Sequence, residues 1–187
     1  MGPGMWKIYD KYKNRKDLVA AEIGVASGSN ARNWIKQFGS FGKLVLVDNY
    51  VLIENREYNL NSVRKLASEF NYIEFKYMDS EKAALDYPDE YFDFIYIDAD
   101  HTLSATFSDL MSWKDKLKKG GCFCGHDYGG NVPWDIDYTS PDEANNPIVA
   151  DCMWSVKAAV VSFCKIMDIP KAIEFNDHSQ FFIKRTW

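Results

Sequence analysis

Glu22-Ile23-Gly24-Val25-Ala26-Ser27-Gly28 decides how this chain is read. An apolar run over residues 18–21 leads into it, and a helix-period segment over 30–38 follows. A strand, a glycine-bearing turn and a helix, in that order, build a cradle of the nucleotide-binding type. A dinucleotide fingerprint would need glycines at 24, 26 and 29, and Ala26 and Ser29 break it. What remains is E-x-G-x-x-x-G. A carboxylate at the strand end repels a pyrophosphate and suits an ammonium group, while the glycines let a ligand come close to the backbone.

Working outward, apolar, β-branched or aromatic runs recur at 18–23, 44–47, 72–77, 92–97 and 121–124. Helix-period segments at 30–38, 61–70, 105–117 and 150–167 separate or follow them. This alternation predicts βαβ units and a parallel sheet with helices on both faces. The runs at 44–47 and 92–97 are almost wholly apolar, as strands covered on both sides should be. Two strand-like pieces, 172–175 and 180–184, flank Asn176-Asp177-His178-Ser179 and predict an antiparallel hairpin. Near the start, Trp6, Tyr9 and Tyr12 alternate with Lys7, Lys11, Lys13, Arg15 and Lys16. An amphipathic helix packing its rings on the sheet accounts for these better than a membrane or nucleic-acid patch. The lysines at 114, 116, 118 and 119 are expected to close a helix, where cations complement the dipole.

The chain has 187 residues, 47% of them hydrophobic, which suits one domain with a sizeable core. The first five residues read as a cloning remnant, with Met5 as the natural start. A net charge of -5 does not favour nucleic acid, and no apolar run approaches a membrane span. Four cysteines, Cys122, Cys124, Cys152 and Cys164, form no dense disulfide framework, so a cytoplasmic setting is expected. Cys122, Cys124 and His126 share one strand face, but a single strand cannot wrap a tetrahedral ion, and core thiols are the better reading. Residues 129–147 hold three prolines, four acids, Trp134 and Tyr138. A lid or substrate loop is expected there.

The acids at strand ends carry the chemistry. Asp48 ends the second strand, where a carboxylate accepts both hydroxyls of a ribose. Asp79 and Ser80 end the third, within reach of an adenine edge. Together with Phe94-Ile95-Tyr96-Ile97-Asp98-Ala99-Asp100-His101 and Gly125-His126-Asp127-Tyr128, these pieces resemble the class I S-adenosylmethionine-dependent methyltransferases. They are most similar to the branch holding macrocin-type O-methyltransferases and cephalosporin-hydroxylase-like proteins, the methyltransferase domain 24 type. They also resemble the metal-dependent catechol and caffeoyl-CoA O-methyltransferases. The resemblance runs from about residue 18 to 184. It implies a Rossmann-like, doubly wound, mostly parallel seven-stranded sheet in the order 3-2-1-4-5-7-6, with the last strand antiparallel. It implies that Gly24 and Gly28 line the methionine part of S-adenosylmethionine, Asp48 meets the ribose, and Asp79 and Ser80 face the adenine; Glu22, Ser27, Asn49 and Asp98 are further candidates for binding the cofactor. A small-molecule acceptor and a homodimer are compatible with it.

Asp98 ends the fourth strand and Asp127 follows the fifth. Neighbouring strands lie about 4.8 Å apart, so both acids reach the crevice beyond the carboxyl ends and repel unless a proton or cation separates them. Mg²⁺ or a similar ion suits such a pair, with Asp100 as a further candidate ligand. It would lower the pKa of a substrate hydroxyl. In metal-free methyltransferases the acid matching Asp98 instead meets the cofactor's amine. His101 and His126 are the candidate proton acceptors; a helix-start role for His101 and a loop contact for His126 are the alternatives. The catechol type carries Asp-Asn at the second acid, whereas here the acid follows a histidine. A binding protein without methyl transfer stands as the competing function, and the paired acids count against it.

Overall fold

The computed structural model describes residues 3–128, 155–170, 173–174 and 180–187. In chain order the elements are α1 (Pro3–Tyr12), β1 (Val19–Ile23), α2 (Ser29–Phe38), β2 (Lys43–Val47), α3 (Arg56–Glu69), β3 (Ile73–Lys76), α4 (Ser80–Ala84), β4 (Phe92–Ile97), α5 (Leu103–Trp113), a 3-10 turn (Lys114–Lys116), β5 (Leu117–His126), α6 (Val156–Ile166), β6 (Ile173–Glu174) and β7 (Gln180–Lys184). The strands form one seven-stranded sheet in the order β3-β2-β1-β4-β5-β7-β6. β1 to β5 pair in parallel, and β7 runs antiparallel to both β5 and β6. The expected sheet order and antiparallel end are present. The turn expected at 176–179 and the loop expected at 129–147 lie outside the described residues.

Strand alternation assigns each side chain to one of two cores. Leu44, Leu46, Phe94, Cys122, Cys124 and Phe182 face α1, α2 and α3, where Ile8, Trp34 and Val63 meet them. Val45, Val47, Ile95, Ile97, Phe123 and Ile183 face the other side, against Ala83, Leu110, Trp113, Val160 and Phe163. Both faces of the central strands are buried, which is why β2 after Lys43 and β4 apart from Asp93 read as apolar runs. Cys122 and Cys124 are core thiols. α1 behaves as an amphipathic helix: Tyr12 stacks on Phe94 at 5.9 Å and donates its hydroxyl to the Asp93 carbonyl at 2.7 Å.

Three expectations are corrected. α3 begins five residues earlier than its apolar period suggested, because its first turn is solvated and Asn55 opens it in the left-handed region (φ 54°). α4 was not expected at all; its five residues are too short to show a period. Lys118 and Lys119 belong to β5 and not to a helix end, since the chain leaves the helix through the 3-10 turn. Lys118 instead pairs at 2.9 Å with the buried Asp93, whose same oxygen Oδ2 accepts from Val19 N at 2.9 Å.

Two residues of the β1 end are held under tension by this packing. Gly24 has φ 83°, and a Cβ there would fall on the carbonyl oxygen of Asp98. Glu22 lies fully buried inside the sheet, and neither carboxyl oxygen accepts a well-aligned hydrogen bond. Burial, and then the charges of Asp98 and Asp48, raise its pKa well above 4.5 against weaker help from Asn30 and Ala31. A raised folded-state pKa contributes stability that is complete below 4.5 and is lost as pH rises toward the folded value. Glu22→Gln, which keeps the shape without ionising, is expected to match wild type in denaturant melts near pH 4. It should then gain on wild type with rising pH by up to about 1.4 kcal/mol per unit. A difference that stays flat from pH 4 to 8 would show that Glu22 is not held neutral. Gly24→Ala is expected to lower stability by about 1–3 kcal/mol, the cost of a forced left-handed residue, read by the same melts.

Candidate active site

The carboxyl ends of β1, β2, β3 and β4 open onto one cavity of about 440 Å³. The turn after β1 is its floor. This turn is shaped by three left-handed residues, Gly24 (φ 83°), Ala26 (φ 47°) and Gly28 (φ 81°). Gly24 N donates to Val47 O at 2.9 Å and Asp98 N to Ile23 O at 2.8 Å, so the turn hangs between β2 and β4. Asp48 fixes its curvature. One carboxylate oxygen accepts from Val25 N (2.8 Å) and Ala26 N (2.9 Å), and the other from Tyr50 N (2.7 Å). Tyr50 returns its hydroxyl to Ala26 O at 2.7 Å.

The cavity is lined by Gly24, Ala26, Asp48, Asn49 and Asp98 together with Met78, Asp79, Ser80, Ala105 and Asp109. Asn49 donates to Asp79 at 3.1 Å, and Lys82 pairs with the other oxygen of Asp79 at 2.7 Å. These bonds lower the Asp79 pKa, the one to Lys82 first. Ser80 Oγ accepts from the indole N–H of Trp113 at 2.8 Å. Of the residues the sequence nominated, Gly24, Asp48, Asn49, Asp79, Ser80, Asp98 and Asp100 line this space. Glu22, Ser27 and Gly28 do not. Glu22 is sealed in the sheet, Ser27 turns to Ser29 (2.9 Å), and Gly28 packs against Val63 and Leu66 of α3.

Beside the cavity, the ends of β4 and β5 bring together Asp98, His101 and Asp127, with one ligand-type atom of each within 4.8 Å of the others. His101 Nε2 lies 3.4 Å from Asp98 Oδ1 and 3.2 Å from Asp127 Oδ2. His126 Nδ1 also reaches Asp127 Oδ2 at 3.2 Å. The His101 pKa is raised above 6.5, first by its hydrogen bond to Asp98, with the charge of Asp127 adding and burial opposing. Asn30, on the first turn of α2, donates to Asp98 Oδ2 at 3.3 Å. Asp100 does not join the cluster: its carboxylate accepts from Thr102 N at 2.9 Å at the start of α5, and His101 stands in its place. His101, when protonated, would offset the repulsion between the two acids. Two carboxylates and an imidazole form a donor set that suits a divalent cation equally well.

Sequence reasoning missed Asn30, Tyr50 and Asp109. For Asp109 a signal existed: it interrupts the buried stripe Thr106, Leu110, Trp113 of α5 with a charge. Tyr50 and Asn30 act through hydrogen bonds that no periodicity announces.

Solved structures share this architecture. A Streptococcus mutans protein assigned as a methyltransferase and solved with SAH superposes with a TM-score of 0.63 at 12% identity, over 98% of each chain. A Staphylococcus aureus protein assigned as a caffeoyl-CoA O-methyltransferase gives 0.65 at 16%, over 97% of this chain and 81% of that one. The MycE methyltransferase of the mycinamycin pathway, solved with Mg, SAH and mycinamycin VI, gives 0.62 at 15% identity. That match covers 99% of this chain and 51% of MycE. At these identities the likeness is one of fold. No curated protein matches the sequence significantly. The sequence profile of a family described as a methyltransferase domain, type 24, matches residues 21–128, more than half of the chain. The chain belongs to that family, among the class I S-adenosylmethionine-dependent methyltransferases.

Proposed function

We propose that the protein methylates a hydroxyl oxygen of a small molecule, with S-adenosylmethionine as donor and a divalent cation such as Mg²⁺ at Asp98, His101 and Asp127. The observation that carries this reading is the joint position of that cluster and the cavity: Asp98 belongs to both. When bound, the donor supplies a methyl group on a sulfonium, and the cation would lower the pKa of a hydroxyl beside it. The chain's own residues do the rest. Gly24 admits the donor's amino-acid end close to the backbone, Asp48 and Asn49 face its ribose, and Asp98 offers a carboxylate toward its amine. Alignment of the methyl group with the attacking oxygen is the main contribution the fold makes. With His101 engaged as a ligand of the cation, His126, whose side chain is 40% exposed, is the candidate to take the hydroxyl proton.

The MycE structure supports the pairing of Mg with SAH on this fold, in that protein. The described residues contain no helix long and apolar enough to cross a membrane. The free, buried thiols Cys122 and Cys124 support a reducing, cytoplasmic setting. A homodimer remains part of the proposal through the resemblance alone.

Titration calorimetry with S-adenosylmethionine and S-adenosylhomocysteine tests the donor. Wild type is expected to bind both, and Asp48→Ala to bind about 10–100-fold more weakly, because it loses charge-assisted bonds to the turn and the ligand. Wild type that binds neither would end the donor assignment. For the cation, Asp98→Asn and Asp127→Asn are each expected to abolish Mg²⁺ binding in parallel titrations. Variants that bind Mg²⁺ as tightly as wild type would remove the metal from the mechanism. Product formation in a screen of catechol and glycoside acceptors separates the enzyme from a silent binder.

A further inference from the structure

Asp98 carries two duties on one carboxylate. It lines the cavity, and it belongs to the cluster with His101 and Asp127. Its main chain is pinned, because Asp98 N donates to Ile23 O at 2.8 Å. The side chain is not: the last torsion of an aspartate is soft, so the plane of its oxygens is set by what they touch. Oδ1 lies 3.4 Å from His101 Nε2, and Oδ2 accepts from Asn30 Nδ2 at 3.3 Å.

Asn30 comes from another part of the fold. It stands in the first turn of α2, 68 residues before Asp98 in the chain. Asn is a poor helix former, favoured at caps where its side chain bonds the nearby backbone. Here Gly28 holds the cap position, and the Asn30 amide reaches across to the end of β4. A neutral amide orients a carboxylate without cancelling the charge that a cation needs, whereas a Lys or Arg at this place would cancel it. When His101 Nε2, the nitrogen beside both acids, ligates an ion, it has no hydrogen left to share with Asp98. The bond from Asn30 uses the other oxygen and survives.

We propose that Asn30 is a positioning residue for the cation: by holding Oδ2 of Asp98 it turns Oδ1 toward His101 and Asp127, so that this oxygen is committed before the ion arrives. This rests on the reading of the cluster as a cation site. Partners that orient a metal ligand without touching the metal contribute about 10–100-fold to its affinity. A longer amide at position 30 can still donate, and an aliphatic side chain cannot.

The test is Mg²⁺ calorimetry on the full chain without donor, with thermal melts of each variant. Asn30→Leu, close in size and a better helix former, is expected to bind Mg²⁺ about 10–100-fold more weakly than wild type while its melt does not fall. Asn30→Ala should weaken binding in the same way, and Asn30→Gln should recover part of the affinity. A role confined to the packing of α2 would lower the melts and leave Mg²⁺ affinity in place. Folded Leu and Ala variants that bind Mg²⁺ as tightly as wild type overturn the proposal and leave the cation reading standing. A Gln variant no better than Leu overturns it too, because donation would then not be what position 30 supplies. Wild type that does not bind Mg²⁺ ends the cation reading, and this inference with it.

Discussion

One carboxylate receives three backbone N–H groups at the edge of the sheet. Asp48 holds Val25, Ala26 and Tyr50 by their amides, and the site depends on that grip. A turn with three left-handed residues has no ladder to stabilise it, and its amides would otherwise need water. Bound to Asp48, they set the height of Gly24 over the end of β4, and so the distance between the cavity floor and Asp98. The same contact ties β2 to the loop after β1, so the strand ends move as a unit. A charge-assisted bond to backbone donors is among the stronger ones available to a protein.

From this fixed edge two chemically distinct groups follow. In one, Asp98 and Asp127 stand on either side of the His101 imidazole. In the other, the Trp113 indole holds the Ser80 hydroxyl beside the buried Asp109. The first suits charge chemistry, and the second is largely shielded from solvent. Both are built on residues that follow strands, where a rigid sheet sets position and a loop supplies the side chain.

The sheet was readable because its signals are strong and local. β4, with every residue buried, shows as an apolar run broken only by Asp93, and E-x-G-x-x-x-G shows as a composition no ordinary turn requires. The strand-end acids were readable for the same reason: they stand where apolar runs stop. Glu22 was not. From the sequence it is a carboxylate facing a ligand. In the fold it belongs to the α2 face of β1, roofed by Asn30 and Ala31, and sealed from the cavity. Alternation along β1 puts Glu22 on the face of Ala20, while its neighbour Ile23 takes the opposite face and lines the cavity. Asp100 and His101 exchanged roles for a related reason. Only the start of α5, where Asp100 caps Thr102, decides which of two adjacent side chains swings toward Asp127.

The described part of the chain after residue 128 also matters for the centre. Ser155 N donates to the carbonyl of His101 at 2.9 Å, α6 packs along α5, and Gln180 of β7 lies in register with His126. His101 and His126 are thus each braced by residues far along the chain. The covalent path from His126 to its strand neighbour Gln180 is long, and the physical path is one ladder rung. The C-terminal helix and strand therefore act as a splint across the back of the reaction centre. A change made anywhere along α6 or β7 is transmitted to the two histidines as a change in their footing, without altering a single residue that faces the cavity.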